Sequence, residues 1–397
     1  VRFLRWYLPI AVVAATLNLR PALLTLGPVL PTIQRSLELS PVSSGILTAL
    51  PILALGLASA IAVPVGRKLG WSGGLTVAML LVAAGIVLRS AGSELALFIG
   101  AALLGIGIGL GNVFVPTLVK ARLAARIGLA MGGYTMALTC GALLSVALTP
   151  VLFAHFGTWQ PTLAVWSIPA FFAALIAIPL LADNVRPKQH VPGTHLWKNG
   201  LAWAVSAYMG LQSALFYAMA LWLGALLTGR GLAITDVAAD LSIFYLTQFL
   251  AALAAPIVLT ASRRQDIIAV ALVASVGLMI VAMLYGPLTT IFFFAGLLGV
   301  AMGGVFSVAL TFQVIRARSA DNAARLSSMA QFVGYCIASV GPLVLGLVSK
   351  WPDSRLASTI WLSLLVIITM IAGSIAGQSR FVDDAQAGLD PIPANGT

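Results

Sequence analysis

Apolar runs about as long as a bilayer is thick alternate with short polar turns along the whole chain. Stretches near 6–30, 43–64, 74–91, 94–119, 127–153, 160–182, 200–227, 236–260, 266–286, 288–313, 323–348 and 355–377 each supply the roughly 20 apolar residues that a helix needs to cross the hydrocarbon core. Strands of a membrane barrel would alternate apolar and polar side chains over about ten positions. The run from Val77 to Leu88 instead contains no polar side chain at all. In such a run every backbone amide must be satisfied within its own segment, which only a helix achieves. The pattern predicts an all-α polytopic membrane protein with twelve transmembrane helices.

Composition agrees. Of 397 residues, 60% are hydrophobic and 8% charged, with a mean hydropathy of +1.04, against about 25% charged in soluble domains. The net charge of +11 suggests nucleic-acid binding only until the positions of the cations are mapped. With the N-terminus inside, sixteen of the 22 Lys and Arg fall on one side of the predicted membrane. Arg35, Arg89, Arg230, Lys350 and Arg355 fall on the other, and Arg20 falls within a span. The bias predicts a bacterial-type inner membrane protein with both termini cytoplasmic and no nucleic-acid partner. Arg2 and Arg5 before an apolar run imitate a signal peptide, but the run is too long and lacks a small-residue cleavage site, so it is read as the first span. Cys140 and Cys336 lie in separate spans without metal-ligand spacing and read as packing residues.

The longest polar connection, Asp183–Asn199, divides the spans six and six. The expected organisation is an N-terminal six-helix bundle (1–182), a cytoplasmic linker (183–199), a C-terminal six-helix bundle (200–377) and a disordered cytoplasmic tail (378–397). Gly105-Ile-Gly-Ile-Gly109, followed by a basic turn with Lys120 and Arg122, is echoed by Gly299-Val-Ala-Met-Gly303, followed by Arg316 and Arg318. Weak internal symmetry of this kind marks transporters built from repeats, with the site near the midplane between them. The glycines suit close helix packing, and prolines such as Pro21, Pro28, Pro51 and Pro116 suit bends or a cavity wall.

Arg20 is the sharpest chemical signal. A cation near the bilayer centre costs about 2.5–3.5 kcal/mol on insertion scales, so it calls for a partner, a wet cavity or a function. One reading makes it an anchor for a planar oxyanion. The other has it capping carbonyls freed around Pro21 or pairing with an acid, for which Asp240 is the candidate at such depth. Polar and aromatic residues at helical spacing suggest a cavity lining: Tyr208, Gln212 and Phe216 on the seventh span, Phe244 and Gln248 on the eighth, Gln331 and Tyr335 on the eleventh. Interhelical hydrogen bonding is the plainer account of the same residues. The predicted substrate-binding set is Arg20, Gln212, Gln331, Tyr335, Gln248, Phe216, Asn112 and Tyr217, with Tyr134 a weaker candidate.

No paired intramembrane carboxylates, His-Glu-x-x-His, phosphate-cradling Gly-x-x-x-x-Gly-Lys or nucleophile–base pair occurs. His190 and His195 sit in the linker without further ligands. The sequence therefore predicts no enzyme, no cofactor, no metal and no ATP-driven transport. Buried acids suited to a proton relay are scarce, which favours exchange or uniport over obligatory proton symport.

Four segments carry a resemblance over nearly the whole chain: Asn18-Leu-Arg-Pro-Ala-Leu-Leu-Thr-Leu-Gly-Pro-Val-Leu-Pro31, Gly111-Asn-Val-Phe-Val-Pro116, Gly210-Leu-Gln-Ser213 with Phe216-Tyr217, and Met329-Ala-Gln-Phe-Val-Gly-Tyr335. Together they resemble the cyanate/nitroimidazole transporter branch of the major facilitator superfamily. The resemblance implies two six-helix bundles, alternating access, a central cavity lined chiefly by spans one, four, seven and ten, and substrates such as cyanate, related small anions or nitro-substituted azoles. The turn Gly66-Arg-Lys-Leu-Gly70 departs from the superfamily pattern by lacking its acidic residue, so the gate at that turn is expected to rest on other contacts.

The expected function is secondary active or facilitative transport of a small anionic or strongly dipolar planar solute, with the lipid bilayer as the other partner and a monomer as the working unit. The alternative within the fold is a multidrug-type exporter of neutral or aromatic compounds in which Arg20 is structural. Outside it stand a channel, which would need a continuous polar lining, and a non-transporting membrane sensor, for which the loops are short.

Overall fold

A computed structural model describes residues 2–183, 196–338, 344 and 354–383. Most of the predicted linker, part of the eleventh span and residues 384–397 lie outside these. Among the described residues the secondary structure is entirely helical. The first span is broken into α1 (Arg2–Leu19), α2 (Pro21–Leu24) and α3 (Leu26–Ser36). Then come α4 (Pro41–Arg89), α5 (Glu94–Arg122), α6 (Ile127–Phe156), α7 (Trp159–Ala164) and α8 (Ser167–Ala177). The second half comprises α9 (Gly200–Thr228), α10 (Ile234–Ala261), α11 (Gln265–Tyr285), α12 (Ile291–Ile315), α13 (Ala320–Ala338) and α14 (Ser354–Ala376).

Local sequence sets the boundaries. Ser40 and Ser93 cap α4 and α5 by accepting from the backbone N–H groups of Ser43 and Ala96, which satisfies donors the helix itself leaves orphaned. Gly157 ends α6 with φ 70°, a left-handed conformation that costs glycine nothing. Gly70, at φ 75°, turns α4 back on itself between the second and third predicted spans. Nine helical segments among the described residues are long and apolar enough to cross a membrane, the Ile46–Arg89 segment around this turn being one of them. The helices α9 and α13 occupy the places of the seventh and eleventh predicted spans.

The glycine motifs pack alike in the two halves. A β-carbon at Gly105 would stand 2.5 Å from the Pro51 carbonyl oxygen, and one at Gly109 would stand 2.3 Å from that of Leu55. At Gly299 and Gly303 the same atoms would lie 2.2 and 2.4 Å from the carbonyl oxygens of Phe244 and Gln248. In each half the fourth helix thus presses its glycines onto the backbone of the second, at a separation no side chain permits.

The halves meet most closely at the end that carries the basic turns and both described termini, here called the basic end. Thr135 Oγ1 of α6 donates to the Ala252 carbonyl of α10 at 2.7 Å, and Gly132 and Gly128 lie against Leu253, Pro256 and Thr260 of the same helix. Ser328 of α13 donates to the Ser59 carbonyl of α4. No comparable contact joins α1–α3 to α9 among the described residues. The basic end is closed.

The start of the predicted disordered tail is docked on this end, so that boundary is corrected for 378–383. Val382 is fully buried; its N–H donates to the Arg316 carbonyl at 2.9 Å, and its carbonyl accepts from Asn199 Nδ2 at 3.0 Å. Asp383 accepts from the Arg318 backbone N–H at 2.8 Å and from the Asn322 side chain, and its charge also reaches Lys120 in the other half. The sequence pattern missed this because the segment is polar. Its one buried apolar side chain, Val382, has no periodic partner in the chain.

Candidate functional site

Pro21 lacks an amide hydrogen and breaks the first span. Arg20 sits at that break, with φ −93° and ψ −40°, and its carbonyl accepts from the N–H groups of Leu23 and Leu24. Its side chain is half-buried, and its guanidinium carbon lies 5.0 Å from the centroid of the Phe306 ring of α12. Among the described residues the Arg20 side chain makes no hydrogen bond and no ion pair. Asp240 is buried on α10 with one carboxylate oxygen unpartnered, and it does not reach Arg20. The hydroxyls of Tyr134, on α6, and Tyr335, on α13, lie within electrostatic range of Arg20. Tyr335 lies also within electrostatic range of Tyr217, on α9. Side chains from three other predicted spans, Tyr134, Phe306 and Tyr335, therefore lie near Arg20, with Tyr217 of a fourth near Tyr335 and no acid among them.

One carbonyl just past Pro21, that of Ala22, is served by another arginine. Arg89 counts among the outer charges in the sequence, yet only 2% of its surface is exposed. It donates to the Ala22 carbonyl at 2.6 Å and to Thr25 Oγ1 at 2.8 Å. Nothing in the local pattern distinguishes it from a loop arginine, because it stands at the last position of a span. With Arg89 bracing the broken helix, Arg20 is not engaged in carbonyl capping. Asn18 turns away from the seam, donating to the Ala14 carbonyl at 2.8 Å and lining an apolar groove between α1, α6 and α8.

The remaining predicted residues divide. Tyr335 and Tyr217 join the cluster, and Phe216 packs edge-on against Tyr217 at 5.3 Å. Gln331 is buried between α12 and α13, where its amide donates to Gln313 Oε1 at 3.2 Å. Its own carbonyl oxygen and the Gln313 amide nitrogen have no partner. Gln212 is spent on its own helix, donating to the Met209 carbonyl at 3.0 Å and Ser213 Oγ at 2.7 Å. Gln248 is buried on α10 where that helix meets Gly303. Asn112 is buried on α5, one position after Gly111, which abuts Leu19. Tyr208 is fully buried against Phe312, at 5.7 Å, and Gly373, which makes it packing between helices. The spacing that groups Tyr208 with Gln212 and Phe216 spans a face too wide for one cavity.

Phe306 escapes the sequence reading, since an apolar ring in an apolar helix carries no signal. Tyr134 carries a faint one, as a hydroxyl beside two small residues. Its hydroxyl is fully buried and unpartnered, an arrangement that costs about 1–3 kcal/mol unless a ligand or water completes it.

A family model described as Major Facilitator Superfamily matches residues 22–342. The chain belongs to the Major Facilitator Superfamily. Curated relatives include a 2-nitroimidazole transporter of Escherichia coli K12, 32% identical and covering 89% of this chain and 91% of its own. An uncharacterized transporter, YycB, of Bacillus subtilis 168 is 30% identical with 95% of both chains covered. The cyanate transport protein CynX of E. coli K12 is 28% identical over 89% of this chain and 93% of its own. Among solved structures, the proton:xylose symporter XylE bound to 6-bromo-6-deoxy-D-glucose matches with a TM-score of 0.75 and 13% identity, covering 97% of this chain and 99% of that one; at such identity the likeness shows the fold. The protein is a multi-pass membrane transporter, as the sequence resemblance implies.

Proposed function

We propose that this transporter moves a small anionic or strongly dipolar planar solute by alternating access, with Arg20 as its anchor. The observation that carries the reading is the state of Arg20. It is half-buried at the break of the first span, has no acid or hydrogen-bond acceptor among the described residues, and rests on an aromatic ring of the opposite half. A guanidinium so placed retains its fork of donors for a guest, and planar oxyanions match that fork in two hydrogen bonds. The names of the relatives, a cyanate transport protein and a 2-nitroimidazole transporter, are solutes of this description. Tyr134 and Tyr335 supply hydroxyl donors beside the anchor, and Phe306, Phe216 and Tyr217 supply ring faces for a flat ligand. Gln331, Gln212, Gln248 and Asn112 complete the proposed substrate-binding set, of which Gln331 keeps an unpartnered carbonyl oxygen and Gln212 is committed to its own helix.

Binding of an anion lowers the cost of enclosing Arg20, so the occupied carrier changes state more readily than the empty one. With the termini in the cytoplasm of a bacterial inner membrane, the closed basic end corresponds to an outward-facing state. The shortage of buried acids favours exchange or uniport over obligatory proton symport, with a monomer as the proposed working unit.

The test is thermal stabilisation of purified protein by cyanate, small carboxylates and 2-nitroimidazole, in the wild type and in Arg20→Gln. Stabilisation of the wild type alone supports the anchor; equal stabilisation of both by anions removes it.

A further inference from the structure

A second cationic site lies away from the Arg20 cluster. Between the halves at the basic end a recess of about 360 Å3 opens, with Ala60 and Val63 of α4 on one wall and Arg325 and Phe332 of α13 on the other, and Trp197 and Lys198 at the entry to α9. It holds two cations and no acid. Among the described residues the buried arginines are consumed: Arg89 bonds Ala22 and Thr25, and Arg316 donates to the carbonyls of Ala376 and Gly377. Lys198 and Arg325 have neither a hydrogen bond nor an ion pair among the described residues, although Arg325 is half-buried.

The level of the recess is marked by tryptophan. Trp197 and Trp203 are 57% and 43% exposed, pack edge to face at 5.8 Å, and are joined by a 2.9 Å hydrogen bond from Trp203 Nε1 to the Trp197 carbonyl. An exposed pair of this kind stands where hydrocarbon meets headgroups. Two cations beside it, above apolar walls, match an amphiphile with an anionic head and a hydrocarbon body. They do not match a free anion, which has no use for Val63 and Phe332.

We propose that this recess binds one anionic phospholipid, its phosphate held by Lys198 and Arg325 and its acyl chains lying along Val63 and Phe332. The site straddles the seam. Ser328, which also lines it, donates to the Ser59 carbonyl beside Ala60, so the two walls adjoin only while the basic end is closed. A lipid seated there selects the closed basic end over the open one, because it gains its contacts in that state alone.

Native mass spectrometry of the full chain in detergent tests this, with phosphatidylglycerol, phosphatidylcholine and glycerol phosphate as probes. The wild type is expected to retain one phosphatidylglycerol. The double variant Lys198→Gln/Arg325→Gln is expected to bind it about thirtyfold more weakly, as two lost basic contacts with an anionic lipid imply. Phosphatidylcholine and glycerol phosphate are expected not to compete. Lysine at position 325 (Arg325→Lys) keeps the charge and is expected to restore binding, which separates lost recognition from lost folding. Spin labels on the basic ends of α4 and α13 should show a shorter separation when phosphatidylglycerol is added to the wild type, and no change in the double variant. Equal retention by wild type and double variant, displacement by glycerol phosphate, or a separation indifferent to the lipid would each overturn the proposal.

Discussion

The Arg20 guanidinium of the first span faces the Phe306 ring of α12 at 5.0 Å, a contact that crosses from one half of the transporter to the other. A cation over a ring face gains from the ring quadrupole, by about 0.5–1 kcal/mol when exposed and 2 or more when desolvated. Phe306 thus holds the charge in the seam without neutralising it, and all five N–H donors of Arg20 are left unused among the described residues, as the proposed anchor requires. Phe306→Leu keeps an apolar side chain, though a smaller one, and removes the quadrupole. It is expected to weaken anion binding by about threefold to thirtyfold, measured by calorimetric titration.

Tyr134 is expected to show opposite effects on stability and binding. Its buried hydroxyl lacks a partner, so Tyr134→Phe should raise the melting temperature of the empty protein. The same change removes a donor near the anion and should weaken binding by about 1.5–3 kcal/mol. Melting curves with and without ligand read both; a variant less stable when empty would mean that the hydroxyl has a partner in the membrane.

Arg89 braces the break in the first span through Ala22 and Thr25. Arg89→Met leaves a buried carbonyl without its donor and should cost about 1–3 kcal/mol. Thermal unfolding in detergent measures the loss, and Thr25→Val should show a smaller one of the same sign.

Gly132 meets the Leu253 carbonyl so closely that a β-carbon would stand 2.5 Å from that oxygen. Gly132→Val therefore props α6 away from α10 and is expected to shift the population toward an open basic end. Distances between spin labels on the basic ends of α6 and α10 would lengthen, and unchanged distances would show that this contact does not hold the gate.

Asp240 stands apart from the Arg20 cluster. In an exchanger or uniporter Asp240→Asn should leave counterflow and its pH profile as they are. Loss of the pH dependence in the variant would point instead to a proton as coupling ion.

Span positions, the duplication and the lone midplane cation were legible in the sequence because bilayer burial acts on each residue in turn: a run is apolar enough or it is not. Arg20 stood out on those terms, and so did the paired glycine motifs, whose close approach to a neighbouring backbone is the same in both halves. The partners of these groups were not legible. Phe306 is one apolar ring among many, Arg89 looks like a loop charge, and Gln212 offers an amide that its own helix consumes.

Sequence alone thus determined that the chain is a bundle of membrane helices in two related halves, with one cation whose burial needs a reason. Tertiary structure decided what surrounds that cation, because side-chain hydrogen bonds and ring contacts depend on which helix faces which and at what depth. Among the described residues Arg89 takes the Ala22 carbonyl, while the Arg20 side chain lies against the Phe306 ring without a hydrogen bond, and the proposed anchor rests on that difference.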